Sequence, residues 1–334
     1  MFSKFLKLFL SFLFISFISF SVIRLIPGDP ALALIGERSA TPERILEIKK
    51  NLGLDRSLPV QFFSFVANAL RGDFGESISS KQPVMQEFKV LWPATVELSF
   101  VALLWSSILG LGLGILAAIK RNSFWDYTAV SLSTLGFAMP LFWWGLIIIF
   151  FFAVRLGWFP ISGRIDVIYD IPYATGFYFI DTLLAKNFDA FISALKFIAL
   201  PAFVLGTIPL ALIVRVTRSA MIDISKEDFI RTARAKGLSS SKVIFKHILK
   251  NAWPQILTAI GLAFGVLLTG AIMTETLFSW PGMGRWIVNS IMARDYPVVQ
   301  AGLFYSMAMI IVINFLTDEL IKCLNPKLKD QARQ

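Results

Sequence analysis

Side chains that carry protons, hold metals or cradle phosphates are scarce in this chain. It contains one histidine, His247, and one cysteine, Cys323. Neither a histidine acid–base site nor a cysteine metal cluster can be assembled from that inventory. No Gly-Lys pair occurs, so a phosphate loop of the G-x-x-x-x-G-K-[S/T] type is impossible, and G-x-S-x-G and H-E-x-x-H are also missing. The run Gly110, Gly112, Gly114 has the look of a nucleotide loop but sits in an apolar stretch with no strand before it. With Gly261, Gly265 and Gly270 it reads as small residues that let helices approach closely. No catalytic residue, metal ligand or cofactor site is expected. What remains is a polar, basic stretch from Lys226 to Pro254, and a set of possible hinge or gate residues, Pro140, Trp280, Pro281 and Gly282.

The elements that must position these residues are membrane helices. Of the 334 residues, 56% are hydrophobic and 16% charged, and the mean hydropathy of +0.69 lies outside the range of soluble domains. Six apolar runs approach the roughly 20 residues that a bilayer core requires. They extend about Leu8–Ile23, Val96–Ile119, Tyr127–Val154, Phe197–Val214, Gln255–Thr274 and Val298–Thr317. The third is long enough to be tilted or broken, and Pro140 and Pro209 remove hydrogen bonds in mid-membrane. Lys4 and Lys7 before the first run would suit a signal peptide, but no small-x-small cleavage site follows, so a retained span is expected. The Phe- and Ser-rich stretch Phe9–Ser21 reads as lipid-facing bulk whose serines bond back to their own helix.

Positive charge fixes the expected orientation. Lys4, Lys7, Lys120, Arg121, Arg215, Arg218, the Lys226–Lys250 stretch and Lys322, Lys327, Lys329 and Arg333 all fall on one side if both termini are cytoplasmic. The same placement at run ends argues against nucleic-acid binding despite a net charge of +10. The resulting organisation is an N-terminal spanning helix (1–26), an exterior segment with short helices (27–95), a core transmembrane domain (96–322) containing the cytoplasmic loop 226–254, and a cytoplasmic tail (323–334). Within the first exterior segment, a helix start at Thr41-Pro42-Glu43 and a stop at Gly53 are expected, with a second helix over Val60–Leu70. Glu97 and Glu275 lie near outer span ends, and Asp318 and Glu319 near an inner one. No ionisable side chain occupies the middle of the last five runs, so protons are not handed across the apolar layer and the energy source lies outside the spans.

The Lys226–Pro254 stretch has the grammar helix, break, helix. Glu227 and Asp228 favour a helix N-terminus, Arg234 and Lys236 a C-terminus, and Gly237 a left-handed stop. Ser239–Ser241 can cap a second helix along which Lys242, Lys246 and Lys250 share a face. An amphipathic hairpin lying on anionic lipid satisfies this spacing equally well.

Resemblance decides between them. Arg231-Thr232-Ala233-Arg234-Ala235-Lys236-Gly237-Leu238 resembles the EAA loop of permease subunits in ATP-binding-cassette importers, in the form typical of the dipeptide/oligopeptide/nickel branch, with Arg231-Thr232-Ala233 standing where the general pattern has Glu-Ala-Ala. Further strings are similar to that family in order along the chain: Arg24–Pro30, Leu52–Gln61, Leu70–Gly75, Pro93–Leu98, Gly157–Pro160, Glu275–Arg285, Arg294–Pro297 and the tail Leu324–Lys327. The resemblance implies an all-α integral membrane protein of the type I importer permease fold, working by alternating access in a bacterial cell (inner) membrane. It implies a second homologous permease, two ATPase subunits that bind ATP, and a periplasmic or surface solute-binding protein. Glu227 and Arg231 to Leu238 become the segment that couples to the ATPase. The expected substrate is a dipeptide or oligopeptide, because Ala174–Leu184 resembles that type more than the nickel-chelate type. A non-transporting scaffold or receptor is the alternative from another class.

Overall fold

The computed structural model describes residues 2–25, 41–43, 46, 50 and 55–324. Most of the expected helix from Thr41 to Asn51, most of the Arg24–Pro30 string and the tail beyond Leu324 lie outside the described residues. Among the described residues the chain is helical, with no strand beyond one isolated bridge between Glu76 and Pro83. It divides into two compact units, one formed by residues 1–95 and 281–311 and the other by 96–280 and 312–334.

In the first unit, α1 (Phe2–Leu25) and α2 (Leu58–Leu70) pack with the start of α13 (Tyr296–Leu324). Aromatic rings fill the space: Phe12 and Phe65 meet Phe304 edge-on, and Phe20 meets Phe62 likewise. Helix α1 is two-faced, which the reading of Phe9–Ser21 as lipid-facing bulk missed. Phe9, Leu10, Phe14 and Phe17 are exposed, whereas Ile15, Ser16, Ser19 and Phe20 are buried. Ser16 bonds back to the Phe12 carbonyl at 2.8 Å as expected, but Ser19 donates to the Gln300 carbonyl of α13 at 2.7 Å, tying two helices together. The turn before α13 is held by Asp295, which accepts hydrogen bonds from the Ser77 hydroxyl (2.6 Å) and the Ser79 amide (2.9 Å).

The second unit is built around α7 (Phe188–Ser225), whose apolar window is 67% buried. Against it pack α3 (Val84–Ile119), through the part that belongs to this unit, and α4 (Phe124–Ala138). Small residues make these approaches possible: a Cβ on Gly110 would stand 2.8 Å from Ile213, and one on Gly114 2.6 Å from Thr217. At the loop end of α4, Arg218 forks onto the buried Asp126 through two bonds of 2.6 and 2.7 Å.

Helix α4 and α5 (Leu141–Ile148) form one apolar segment bent by 103°. Pro140 explains the break, because a following proline drives the preceding residue out of the α region; Met139 has ψ 137°. The third run is thus broken, and α5 continues into a π-helical turn at Ile149–Arg155. Among the described residues four helices are long and apolar enough to cross a membrane, and the bent pair makes five. The remaining expected run lies in α1, whose described apolar portion is Phe9–Ser21.

The segment between the bent pair and α7 is held by a buried polar network. Arg164 and Glu97, both buried, are joined at 2.5 Å; Glu97 also accepts the Phe179 amide at 2.9 Å, and Arg164 donates to the Gly176 carbonyl at 2.8 Å. The Arg164 guanidinium lies 4.1 Å from the Tyr178 ring centroid. In the short helix α6 (Tyr178–Leu184), buried Asp181 collects the Thr175 hydroxyl and amide and the Gly176 amide at 2.6–2.9 Å. Burial acts to raise the Asp181 pKa, but these donors outweigh it and hold the carboxyl below its ordinary value.

Two outcomes test this packing. Gly261→Ala drives a Cβ into the Thr317 side chain and costs roughly 1–3 kcal/mol, whereas Gly112→Ala, which meets nothing within 4 Å, is neutral; equal heat-unfolding midpoints in detergent would refute the assignment. A carboxyl with a depressed folded-state pKa contributes stability above the ordinary carboxylate range and loses it as pH falls through the folded value. Asp181→Asn therefore flattens the decline in unfolding temperature between pH 7 and about pH 3, and an unchanged slope sinks that role for Asp181.

Candidate functional site

The polar stretch after α7 folds as helix, break, helix. Its first helix, α8 (Asp228–Ala235), begins after Glu227 in extended conformation, and Asp228 lies in the first turn, where a negative charge suits the helix dipole. The helix stops at Gly237, whose φ of +76° lies in the left-handed region, with the Gly237 amide on the Arg234 carbonyl at 2.9 Å. A Cβ at Gly237 would meet nothing within 4 Å, so glycine is required there by backbone conformation and not by space.

The second helix opens at α9 (Ser240–Lys242), winds as a π-helix over Val243–Leu249, and continues into α10 (Lys250–Gly270) without a break. Ser239 stands at the cap position, but its side chain makes no cap bond, so the serines contribute conformation only. Lys242, Lys246 and Lys250 are all exposed, as their spacing predicts.

An apolar seat fixes this hairpin. Ile230 and Ala233 of α8 enter a cluster with Ala220 and Met221 of α7, Val243 and Ile248 of the π-helical turn, and Ala252 of α10. Burying Ile230 fully contributes on the order of 1.5–3 kcal/mol, enough to hold a two-turn helix that could not persist alone. The charges face the other way: Arg231, Thr232, Arg234, Ala235 and Lys236 are exposed, and the Arg231–Asp228 pair at 3.4 Å is a solvent-exposed contact of little energetic weight.

The residues singled out from the sequence therefore divide. Glu227, Arg231, Thr232, Arg234, Ala235, Lys236 and Gly237 form an outward surface, while Ala233 is buried in the seat and Leu238 packs partly against it. The sequence reading put Ala233 in the contact set by its place in the string; the i, i+3 apolar pair Ile230 and Ala233 was the signal that it faces inward.

The possible gate residues each take a local structural role. Pro140 makes the bend between α4 and α5. Trp280 belongs to the second unit, where it is 1% exposed, 5.8 Å from the Arg164 guanidinium, with its amide on the Glu275 carbonyl. Such burial rules out a role for Trp280 as a lipid-facing anchor. Pro281 and Gly282 belong to the first unit, where Gly282 precedes α12 (Met283–Met292) and the Met283 amide donates to Thr95 at 2.8 Å. The ion pairs Glu97–Arg164 and Asp126–Arg218 escaped the sequence reading because their members lie 67 and 92 residues apart.

Residues 110–330 match the family described as binding-protein-dependent transport system inner membrane component, and residues 1–99 match its N-terminal membrane component. The chain is 48% identical over 321 residues, 96% of both chains, to the di/tripeptide transport system permease protein DppB of Pseudomonas aeruginosa. It is 44% identical to the dipeptide transport system permease protein DppB of Escherichia coli K12, covering 96% of this chain and 95% of the relative. A glutathione transport system permease protein, GsiC of Pectobacterium atrosepticum, is 37% identical, over 93% of this chain and 92% of that one. Among solved structures, an inward-facing MetNI methionine ABC transporter superposes with a TM-score of 0.53 at 17% identity, covering 70% of this chain and 93% of that chain, which shows the fold. A family match across most of the chain and near-full-length relatives above 40% identity agree with the helical fold and the seated hairpin: the chain belongs to the binding-protein-dependent transport system inner membrane components, the type I permeases of ABC importers.

Proposed function

We propose that this permease forms part of the membrane path of an importer of dipeptides and short oligopeptides, driven by ATP that partner subunits bind and hydrolyse. The observation that carries the substrate class is the 48% identity, over 96% of both chains, to a permease named for di- and tripeptides. In this reading a second homologous permease completes the path, two ATPases lie beneath it, and a solute-binding protein delivers substrate from outside. Both termini and the α8 hairpin face the cytoplasm, as the distribution of Lys and Arg favours.

The seated hairpin supports a transmitting role. A push on the exposed face of Arg231, Arg234 and Lys236 passes through Ile230 and Ala233 into α7 and α10, because a close-packed cluster transmits displacement instead of absorbing it. The chain needs no nucleotide site of its own for this task.

Uptake of a labelled dipeptide by cells with and without the gene, with nickel uptake run in parallel, tests the substrate. Selective loss of dipeptide uptake is the expected result; loss of nickel uptake alone would assign the metal branch, and loss of neither would leave a non-transporting scaffold. The coupling role is tested at Gly237. A β-branched residue at φ +76° costs on the order of 1–2 kcal/mol in the turn, whereas Asn tolerates that region. Gly237→Val is expected to insert normally yet hydrolyse ATP without matching uptake in the assembled transporter, and Gly237→Asn to retain most coupling. Normal uptake by the valine variant would overturn the assignment.

A further inference from the structure

A groove of about 680 Å³ runs between α4 and α7 at the end of the second unit that carries the hairpin. Its walls are apolar along their length, with Val130, Leu212 and Val216, and hydroxylated at Ser131 and Ser219. Its polar end holds Arg215 and Arg218 against a single carboxylate, Asp126. Arg218 commits its Nε and one Nη to Asp126, which is further occupied by the Asn122 amide at 2.9 Å. Arg215 spends only its Nε, on the Ala211 carbonyl at 3.3 Å, and is exposed, with its guanidinium 5.8 Å from the Phe137 ring. The groove's fixed charge is therefore one positive, and exposed Lys120 and Arg121 stand in the turn leading into α4. Exposed Phe124, Trp125 and Tyr127 on the first turn of α4 form the aromatic fringe that marks a membrane interface.

A site that is cationic at the interface and apolar along its length toward the bilayer is complementary to one class of molecule. We infer that this groove binds an anionic glycerophospholipid, its phosphate on Arg215 and the outer edge of Arg218, and an acyl chain along Leu212 and Val216. The cytoplasmic leaflet, to which the proposed orientation assigns this end, is the anionic one. A zwitterionic lipid offers the same acyl chains but brings an ammonium group to a site already positive, so headgroup charge is the discriminating property. The bound lipid would brace the inner end of the bent α4–α5 segment against α7.

The test is native mass spectrometry of the purified full chain released from nanodiscs holding equal phosphatidylglycerol and phosphatidylethanolamine. Retention of phosphatidylglycerol over phosphatidylethanolamine by roughly ten-fold is expected, the scale of one charge-assisted contact. Arg215→Ala should abolish that preference, and Ser131→Trp, which fills the groove and leaves every charge in place, should lower retention of the bound lipid. Arg155→Ala, at the opposite end of the bent segment, should change neither. Equal retention of the two lipids by the unaltered chain, or wild-type retention by both groove variants, would overturn the site. Protease access to the C-terminal tail in sealed vesicles reports orientation separately, so failure of the orientation is distinguishable from failure of the site.

Discussion

Inside a bilayer neither a backbone amide nor a charged side chain finds water, so every polar group must be satisfied by the chain itself. That constraint shapes each irregular feature of this molecule. The 103° break at Met139–Pro140 is confined to a single turn: the Met139 amide still bonds the Leu135 carbonyl at 3.3 Å, and the Trp144 amide opens α5 on the Pro140 carbonyl at 3.0 Å. Its acids follow the same rule. Glu97 takes Arg164 and a backbone amide, Asp126 takes both arms of Arg218, and Asp295 takes a hydroxyl and an amide. Removing one member of such a pair is costly, about 3–5 kcal/mol for buried ions, even where the intact pair adds little net stability. These contacts therefore specify which segments meet more than they deepen the fold.

Helix α7 ties the second unit together. Its 38 residues reach about 57 Å at the standard rise, well beyond a hydrocarbon core of about 30 Å, so it projects past the apolar layer. One end begins just after α6, where Asn187 accepts the Ala190 amide as a cap, and the other delivers Ala220 and Met221 to the seat of the hairpin. Because the same rod carries Gly206 against Trp105, Ile213 against Gly110 and Thr217 against Gly114, it cannot slide without repacking α3. In the proposed coupling role, a displacement at the hairpin is thus most readily expressed as a tilt or rotation of packed helices, the kind of small rigid movement that alternating access requires.

How much of this was legible in the sequence depended on the range of the interaction concerned. The left-handed stop at Gly237, the break at Pro140 and the exposed row Lys242, Lys246 and Lys250 are local, set by residues within a turn of one another, and were readable. The small-residue approaches were half readable: Gly110 and Gly114 pack as expected, but Gly112 between them meets nothing, because the helix period turns it away from α7. The buried ion pairs were invisible, since no single-sequence signal links Glu97 to Arg164 or Asp126 to Arg218. The π-helical turn at Val243–Leu249 was also missed, because it leaves the apolar pattern nearly unchanged while adding one residue to the winding. The burial of Trp280 near Arg164 was likewise set by tertiary packing and not by its local sequence.

The distribution of arginine ties these observations together. Arginine carries its charge under all physiological conditions and offers a planar fork that matches carboxylate and phosphate alike. The environment of each residue decides which partner it takes. Arg164 lies buried and is consumed by Glu97; Arg218 is one-third exposed and shared between Asp126 and the groove; Arg215 is exposed and largely uncommitted; Arg231 and Arg234 stand on the hairpin surface. Along this series the side chain is held less and less by the chain's own buried carboxylates. The same side chain is thus an internal fastener where it is buried and, in the roles proposed above, a lipid contact or a subunit contact where it is exposed.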